Sequence, residues 1–145
     1  MGSIYGAVLQ GVSGQRVEIQ ASAVRGHADT WTKAVKVTGK AHREVQEVVH
    51  RLSGALTALG LTKPSRAIVI NLAPASVDKV GTSLDLPIAA AILDAAGLMD
   101  WSKATARHVM LGELGLDGTI RPVQGALALA STANPGDTLI VPRAN

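Results

Sequence analysis

The run RAIVINLA at residues 66–73 constrains the fold more than any other stretch of the chain. It is continuously apolar and rich in β-branched residues, which favours a strand with both faces covered. Helical patterns stand on either side of it, at residues 41–60 and in the stretch that ends near Gly97. We therefore expect this strand inside a sheet, with helices packed on the sheet.

The remaining segments predict a mixed sheet. SIYGAVLQ and QRVEIQAS, joined by GVSG, are typical of a hairpin, and WTKAVKVTG at residues 31–39 predicts a third strand. In MLGELGLDGTIRPV, Asp117 and Gly118 favour a tight turn between two strands. GALALASTA then predicts a helix and DTLIVP a final strand. The expected order is βββαβαββαβ, and the expected fold class is α/β, in the form of an α+β two-layer sandwich with a mixed sheet.

Length and composition limit the architecture. The 145 residues suffice for one domain, and no cysteine is present, which excludes disulfides and thiolate metal sites. The longest apolar run, LPIAAAIL, is far shorter than the ~20 residues of a membrane span. The first twenty residues lack the pattern of a secretory signal. We expect a cytoplasmic domain with no membrane partner.

Basic residues are concentrated in the first half of the chain. Residues 1–72 hold nine lysines and arginines against four aspartates and glutamates, whereas residues 73–145 hold five against seven. A basic face of this kind can contact phosphates, although a merely solvated surface would have the same composition. The candidates for such a phosphate contact are Lys36, Lys40, Arg43 and Arg51.

The usual cofactor motifs are missing. The pair Gly39-Lys40 is followed by Ala41 and lacks the earlier glycine of a P-loop, and no G-x-G-x-x-G opens a helix after a strand. The four histidines are dispersed; His42 and His50 are separated by two helical turns, about 12 Å of rise. We expect no cofactor and no metal in this chain.

Ser83 stands where the loop DKVGTS enters the helical pattern LDLPIAAAIL. Backbone N–H groups at such a position favour a nucleophile, but a serine there also caps helices. Pro87 is better accommodated if Asp85 is the cap, so Asp85 is the expected cap and Ser83 is expected to point outward from the loop. As a nucleophile, Ser83 would need a histidine or a neutral lysine beside it.

DKVGTSLDLP followed by LGELGLDGTIRPVQGALALA resembles the Lon-type protease domain, in which a loop serine pairs with a lysine after a hairpin. On that pattern Ser83 falls on the serine and Leu127 on the lysine. A leucine cannot accept a proton, so the resemblance implies a vestigial Ser83 and a pseudo-protease with no catalytic residues.

A closer resemblance is to the amino-terminal domain of the ComM/YifB family, which is related to the magnesium-chelatase AAA+ subunit. It rests on YGAVLQGVSGQRVEIQAS, VTGKAHREVQEVVHRLSGAL, IVINLAPASVDKVGTSLDLPIAAAIL and LGELGLDGTIRPVQGALALA. The resemblance implies a Lon-protease-like fold, shared with the second domain of a small-subunit ribosomal protein, over the single domain 1–145. It further implies a downstream AAA+ ATPase module that binds ATP and magnesium, a hexamer, and a link to DNA branch migration in transformation.

Three functions remain open at this stage. The first is a non-catalytic accessory domain that assists ring assembly or contacts DNA, with its own AAA+ module and neighbouring subunits as partners. The second is a serine peptidase that uses Ser83 with an unrecognised base. The third is an oligomerisation module without a ligand.

Overall fold

The structure is a computed structural model that describes residues 3–38, 42–61, 64, 66–79 and 81–145, without the side chain of His42. In these ranges the strands are β1 (Ile4–Gln10), β2 (Ser13–Val24), β3 (Val35–Val37), β4 (Ala67–Ala73), β5 (His108–Met110), β6 (Glu113–Leu114), β7 (Ile120–Arg121) and β8 (Thr138–Ile140). The helices are α1 (Trp31–Ala34), α2 (His42–Ala58), α3 (Asp85–Ala95) and α4 (Ala126–Ala130). None of the helices in the described part of the chain is both long and apolar enough to cross a membrane.

Six strands form one mixed sheet in the order β3-β4-β2-β1-β5-β8, and β6 and β7 form a separate two-stranded ribbon. β1 pairs antiparallel with β2, and β2 with β4, while β3, β5 and β8 join in parallel. The expected α/β class with a mixed sheet and packed helices is confirmed. The β6–β7 turn at Gly118, which has a φ of 85°, also follows the prediction.

The main core lies on one face of the sheet, against α1, α2 and α3. Side chains alternate across β2, so Val17 and Ile19 enter this core while Glu18 and Gln20 point to the other face. β4 follows the same alternation, with Ile68, Ile70 and Leu72 buried and the residues between them half-buried. The expectation that β4 is buried on both faces is wrong, because its second face is only partly covered.

A smaller core lies on the opposite face, under α4. Ala7 points away from the main core and packs with Leu111, Val123 and Leu129. The helix approaches β2 so closely that a Cβ at Gly14 would lie 2.4 Å from the carbonyl oxygen of Ala128. Glycine is therefore required at this position for α4 to rest on the sheet.

Two further expectations need correction. Residues 31–34 form a helical turn, because the Thr30 hydroxyl accepts a hydrogen bond from the Lys33 N–H; the third strand is confined to β3, and residue 39 lies outside the described residues. Three strands, not two, separate α3 from α4, since β5 joins the main sheet before the β6–β7 ribbon begins. The chain order therefore departs from βββαβαββαβ at these two places.

Asp85 is not a helix cap. The N-cap of α3 is Leu84, which offers no side-chain hydrogen bond, and the Asp85 side chain is 0% exposed. Its carboxylate accepts hydrogen bonds from Arg51 Nε at 2.9 Å and Nη2 at 2.7 Å, and from the Leu114 N–H at 3.0 Å. Burial raises the pKa of the Asp85 carboxyl, although these hydrogen bonds act in the opposite direction. One carboxylate thus joins α2, α3 and β6.

Asp137 makes a second charged connection. Its side chain, 1% exposed, lies 2.6 Å from Arg16 Nη1 and 3.2 Å from Arg107 Nε, and it accepts the Asn134 N–H at 2.8 Å. Arg16 also lies 3.8 Å from the centre of the Tyr5 ring. The segment before β8 is therefore attached to β2. The pKa of Asp137 is lowered, chiefly by the hydrogen bond from Arg16.

Replacing Arg51 by methionine should lower the free energy of unfolding by about 3–5 kcal/mol, because Asp85 is left buried without its counter-charge. Urea denaturation monitored by circular dichroism measures the change. The matched control is Arg43→Met on the same helix, where the arginine forms an exposed pair with Glu47 at 3.8 Å and should contribute less than about 1 kcal/mol. Equal effects of the two substitutions would show that the Arg51–Asp85 pair is unimportant for stability.

Replacing Asp137 by asparagine should change how stability depends on pH. A lowered pKa means that the ionised carboxylate stabilises the fold fully above its unfolded pKa of about 3.9, and that this stabilisation is lost as the pH falls through the lower folded value. The stability difference between the wild type and Asp137→Asn should be constant above about pH 5 and shrink below pH 4. Asp29→Asn removes an exposed charge as a control, and a wild-type profile parallel to that of Asp137→Asn throughout would contradict the assignment.

Candidate functional site

Ser83 lies in a cavity of about 370 Å³ between the loop that precedes α3, the end of β1 and the segment that leads into α4. Thr82, Ser83 and Glu113 provide its polar side chains together with Gln124. Leu9, Val123 and Leu129 are the large apolar residues of its wall. This is the position where the resemblance to a protease places the active site.

The Ser83 hydroxyl is used in a structural hydrogen bond. Its Oγ donates to the main-chain carbonyl oxygen of Ala7 at 2.7 Å, so it does not point outward as the sequence predicts. The Ser83 carbonyl in turn accepts the Gly112 N–H at 3.3 Å. Ser83 thus attaches the loop to β1 on one side and to the segment before β6 on the other.

Glu113 is the one ionisable side chain among the described residues that line the cavity. It accepts a hydrogen bond from the Thr82 hydroxyl at 2.7 Å. Activation of a serine requires a proton acceptor within hydrogen-bond reach of its oxygen, but Glu113 is bonded to Thr82, and the Ser83 hydroxyl donates to the Ala7 carbonyl. The cavity can bind a polar group through these side chains, but its carboxylate is not paired with the serine.

The residue at the position of the protease lysine, Leu127, and the nearby Lys79 both lie outside the Ser83 cavity. Leu127 is 87% exposed on the outer side of α4, and Leu129 from the same helix faces the cavity. Lys79, four residues before Ser83, is buried and donates from Nζ to the Pro74 carbonyl oxygen at 2.5 Å, and it does not line the cavity. The structure therefore does not bring Ser83 and position 127 together in this cavity.

The four DNA-contact candidates have different environments. Lys36 is exposed on the edge strand β3, and Arg43 is exposed near the start of α2. Arg51 is only 25% exposed and uses its guanidinium to hold Asp85. Lys40 lies outside the described residues. Among the three members that the structure describes, Lys36 and Arg43 direct their charges to solvent.

Two side-chain contacts near the site have little or no signal in the sequence. Glu113 and Thr82 were not singled out, although both lie in the quoted stretches, because nothing local indicates that they meet across 31 residues of chain. The role of Arg51 carried a weak signal: it directly precedes the buried Leu52 on the apolar side of α2. Within the described ranges, the histidines and carboxylates do not gather in the groups of three that a metal ion needs.

Comparison with known proteins gives a consistent set of relatives. Residues 24–145 match the family of subunit ChlI of Mg-chelatase. The chain is 34% identical to YifB of Escherichia coli over 123 residues, and 31% identical to the Mycobacterium tuberculosis protein Rv2897c over 147 residues. It is 29% identical to the competence protein ComM of Haemophilus influenzae over 143 residues. These alignments cover 84%, 100% and 98% of the chain but only 24%, 28% and 27% of the relatives, so the chain spans about a quarter of their length.

Replacing Ser83 by alanine should lower the free energy of unfolding by about 1 kcal/mol, because the hydrogen bond to the Ala7 carbonyl is lost. Thermal denaturation measures the effect. Ser131→Ala is the matched control, since the exposed Ser131 hydroxyl bonds only to the Ala128 carbonyl of the adjoining helix and its loss should have a smaller effect. A Ser83→Ala variant as stable as the wild type would contradict the structural role.

Proposed function

The chain belongs to the family of the Mg-chelatase subunit ChlI, and from this premise we propose that it is a non-catalytic accessory domain of a longer ComM/YifB-type protein. In this proposal it has a Lon-protease-like fold and contacts the phosphates of nucleic acid. The AAA+ module, with its ATP and magnesium, belongs to the part of the protein beyond this stretch. The domain also helps neighbouring subunits to assemble into a ring.

The observation that carries the non-catalytic part is the hydrogen bond from Ser83 Oγ to the Ala7 carbonyl. That bond directs the hydroxyl proton to an acceptor that cannot remove it. Among the described residues that line the same cavity, the one ionisable side chain is Glu113, which is hydrogen-bonded to Thr82 and not to Ser83. Without a base in contact with it, the hydroxyl remains an ordinary alcohol, which does not attack an amide at a useful rate.

The proposed contact with nucleic acid is supported by the distribution of positive charge along the chain. The basic excess belongs to the first 72 residues, and Lys36 and Arg43 present their charges to solvent there. Lysine and arginine contacts to phosphates release counterions, so such binding weakens steeply with salt.

A fluorophosphonate probe tests the absence of catalysis. We expect no covalent adduct on Ser83 by mass spectrometry under conditions in which chymotrypsin is fully labelled, because labelling requires an activated oxygen. Ser83→Ala defines the background of non-specific modification. An adduct on Ser83 that disappears in this variant would establish the peptidase alternative and overturn the non-catalytic proposal.

Fluorescence anisotropy with labelled duplex and branched DNA tests the contact. The wild-type chain should bind with an affinity that falls as salt rises from 50 to 200 mM, and Lys36→Gln/Arg43→Gln should reduce the slope of log K against log salt by about 2. Lys103→Gln is the control, because Lys103 is exposed but belongs to the acidic half and lies 3.7 Å from Asp100. A wild-type chain without DNA affinity, or with a salt-independent affinity, would contradict the nucleic-acid part.

A further inference from the structure

A cavity of about 370 Å³ lies at the end of the β2–β4 ladder, away from the Ser83 cavity. It is lined by Ala23, Val24, Arg25, Gly26 and Arg66. Both ionisable residues in this set are arginines, and both are exposed. The site therefore presents two guanidinium groups to solvent from neighbouring strands.

The two arginines follow the last paired residues of the ladder. Val24 pairs with Ala67, and Arg25 and Arg66 are the next residue outward on each strand. Like charges facing each other across an antiparallel pair repel and lower stability. Neither arginine takes part in the ion pairs formed among the described residues. The nearby Asp29 carboxylate lies beside His27 instead, at 3.9 Å.

Gly26 completes the lining of the cavity beside the two arginines. Gly26 has a φ of 143°, a conformation that side chains rarely adopt, and a Cβ there would lie 3.2 Å from the Cβ of Ala67. Position 26 therefore adds no side chain to this site. A guanidinium group is planar and matches two oxygens of a phosphate at once, so two guanidinium groups beside one opening suit a single phosphate well.

We propose that Arg25 and Arg66 form a phosphate clamp for the backbone of nucleic acid. This inference rests on the proposed nucleic-acid contact and adds two residues to it. The bound phosphate supplies the negative charge that relieves the repulsion between the two arginines.

Thermal denaturation with pyrophosphate tests the clamp independently of DNA. Because a ligand that binds only the folded state stabilises it, the melting temperature of the wild type should rise with pyrophosphate at constant ionic strength. Arg25→Gln/Arg66→Gln should lose this rise, whereas the exposed control Lys103→Gln, outside the proposed contact, should keep it. In low salt without pyrophosphate, each single variant should melt at or above the wild-type temperature, because repulsion is removed. Variants that melt lower and a wild type that ignores pyrophosphate would overturn the clamp.

DNA binding then separates the two proposals. Arg25→Gln/Arg66→Gln should reduce the slope of log K against log salt by about 2, in addition to the effect of Lys36→Gln/Arg43→Gln. If the wild type binds DNA and the Arg25/Arg66 variant binds with the same slope, the clamp is refuted while the proposed function stands. If pyrophosphate stabilises the wild type but neither duplex nor branched DNA binds, both the nucleic-acid clamp and the proposed contact are refuted. Equal stabilisation by polyglutamate of matched charge, with no DNA binding, would identify an acidic protein as the partner and overturn the clamp in the same way.

Discussion

The Asp85 carboxylate is the contact on which the arrangement of the helices depends. It has no exposure to solvent, and it belongs to the first residue of α3. It accepts two hydrogen bonds from Arg51 of α2 and one from the main-chain N–H of Leu114 in β6. A buried charge is tolerated only when its partners are well placed, so the geometry of three elements is fixed by one side chain. Apolar packing alone would allow these elements to slide, whereas the two-donor arginine contact defines both position and orientation.

The same anchor determines where the Ser83 cavity lies. Ser83 is two residues before Asp85, and its loop is held by hydrogen bonds to Ala7 and Gly112. The cavity is thus built from fixed parts, and its hydroxyl is engaged with a main-chain carbonyl on β1.

Local sequence patterns predicted the elements that local physics determines. The periodicity of α2 and the Asp117-Gly118 turn needed only nearby residues, and both were found. WTKAVKVTG was misassigned because the Thr30 hydroxyl caps a helical turn that alternation does not reveal. The local pattern indicates a cap at Asp85 because its true partner, Arg51, lies 34 residues away and only the folded chain brings them together. The candidate site followed the same rule: the position of Ser83 was predictable, but its acceptor, Ala7, was not.

The absence of a side chain at Gly14 has a consequence beyond its own strand. Because the Ala128 carbonyl occupies the space where a Cβ would stand, α4 sits low on β2, and Leu129 from that helix becomes part of the cavity wall beside Ser83. The width of that cavity therefore depends on the lack of a side chain at position 14. A methyl group there would displace α4 from β2 and move Leu129, so residue 14 would change the shape of a cavity that it does not line.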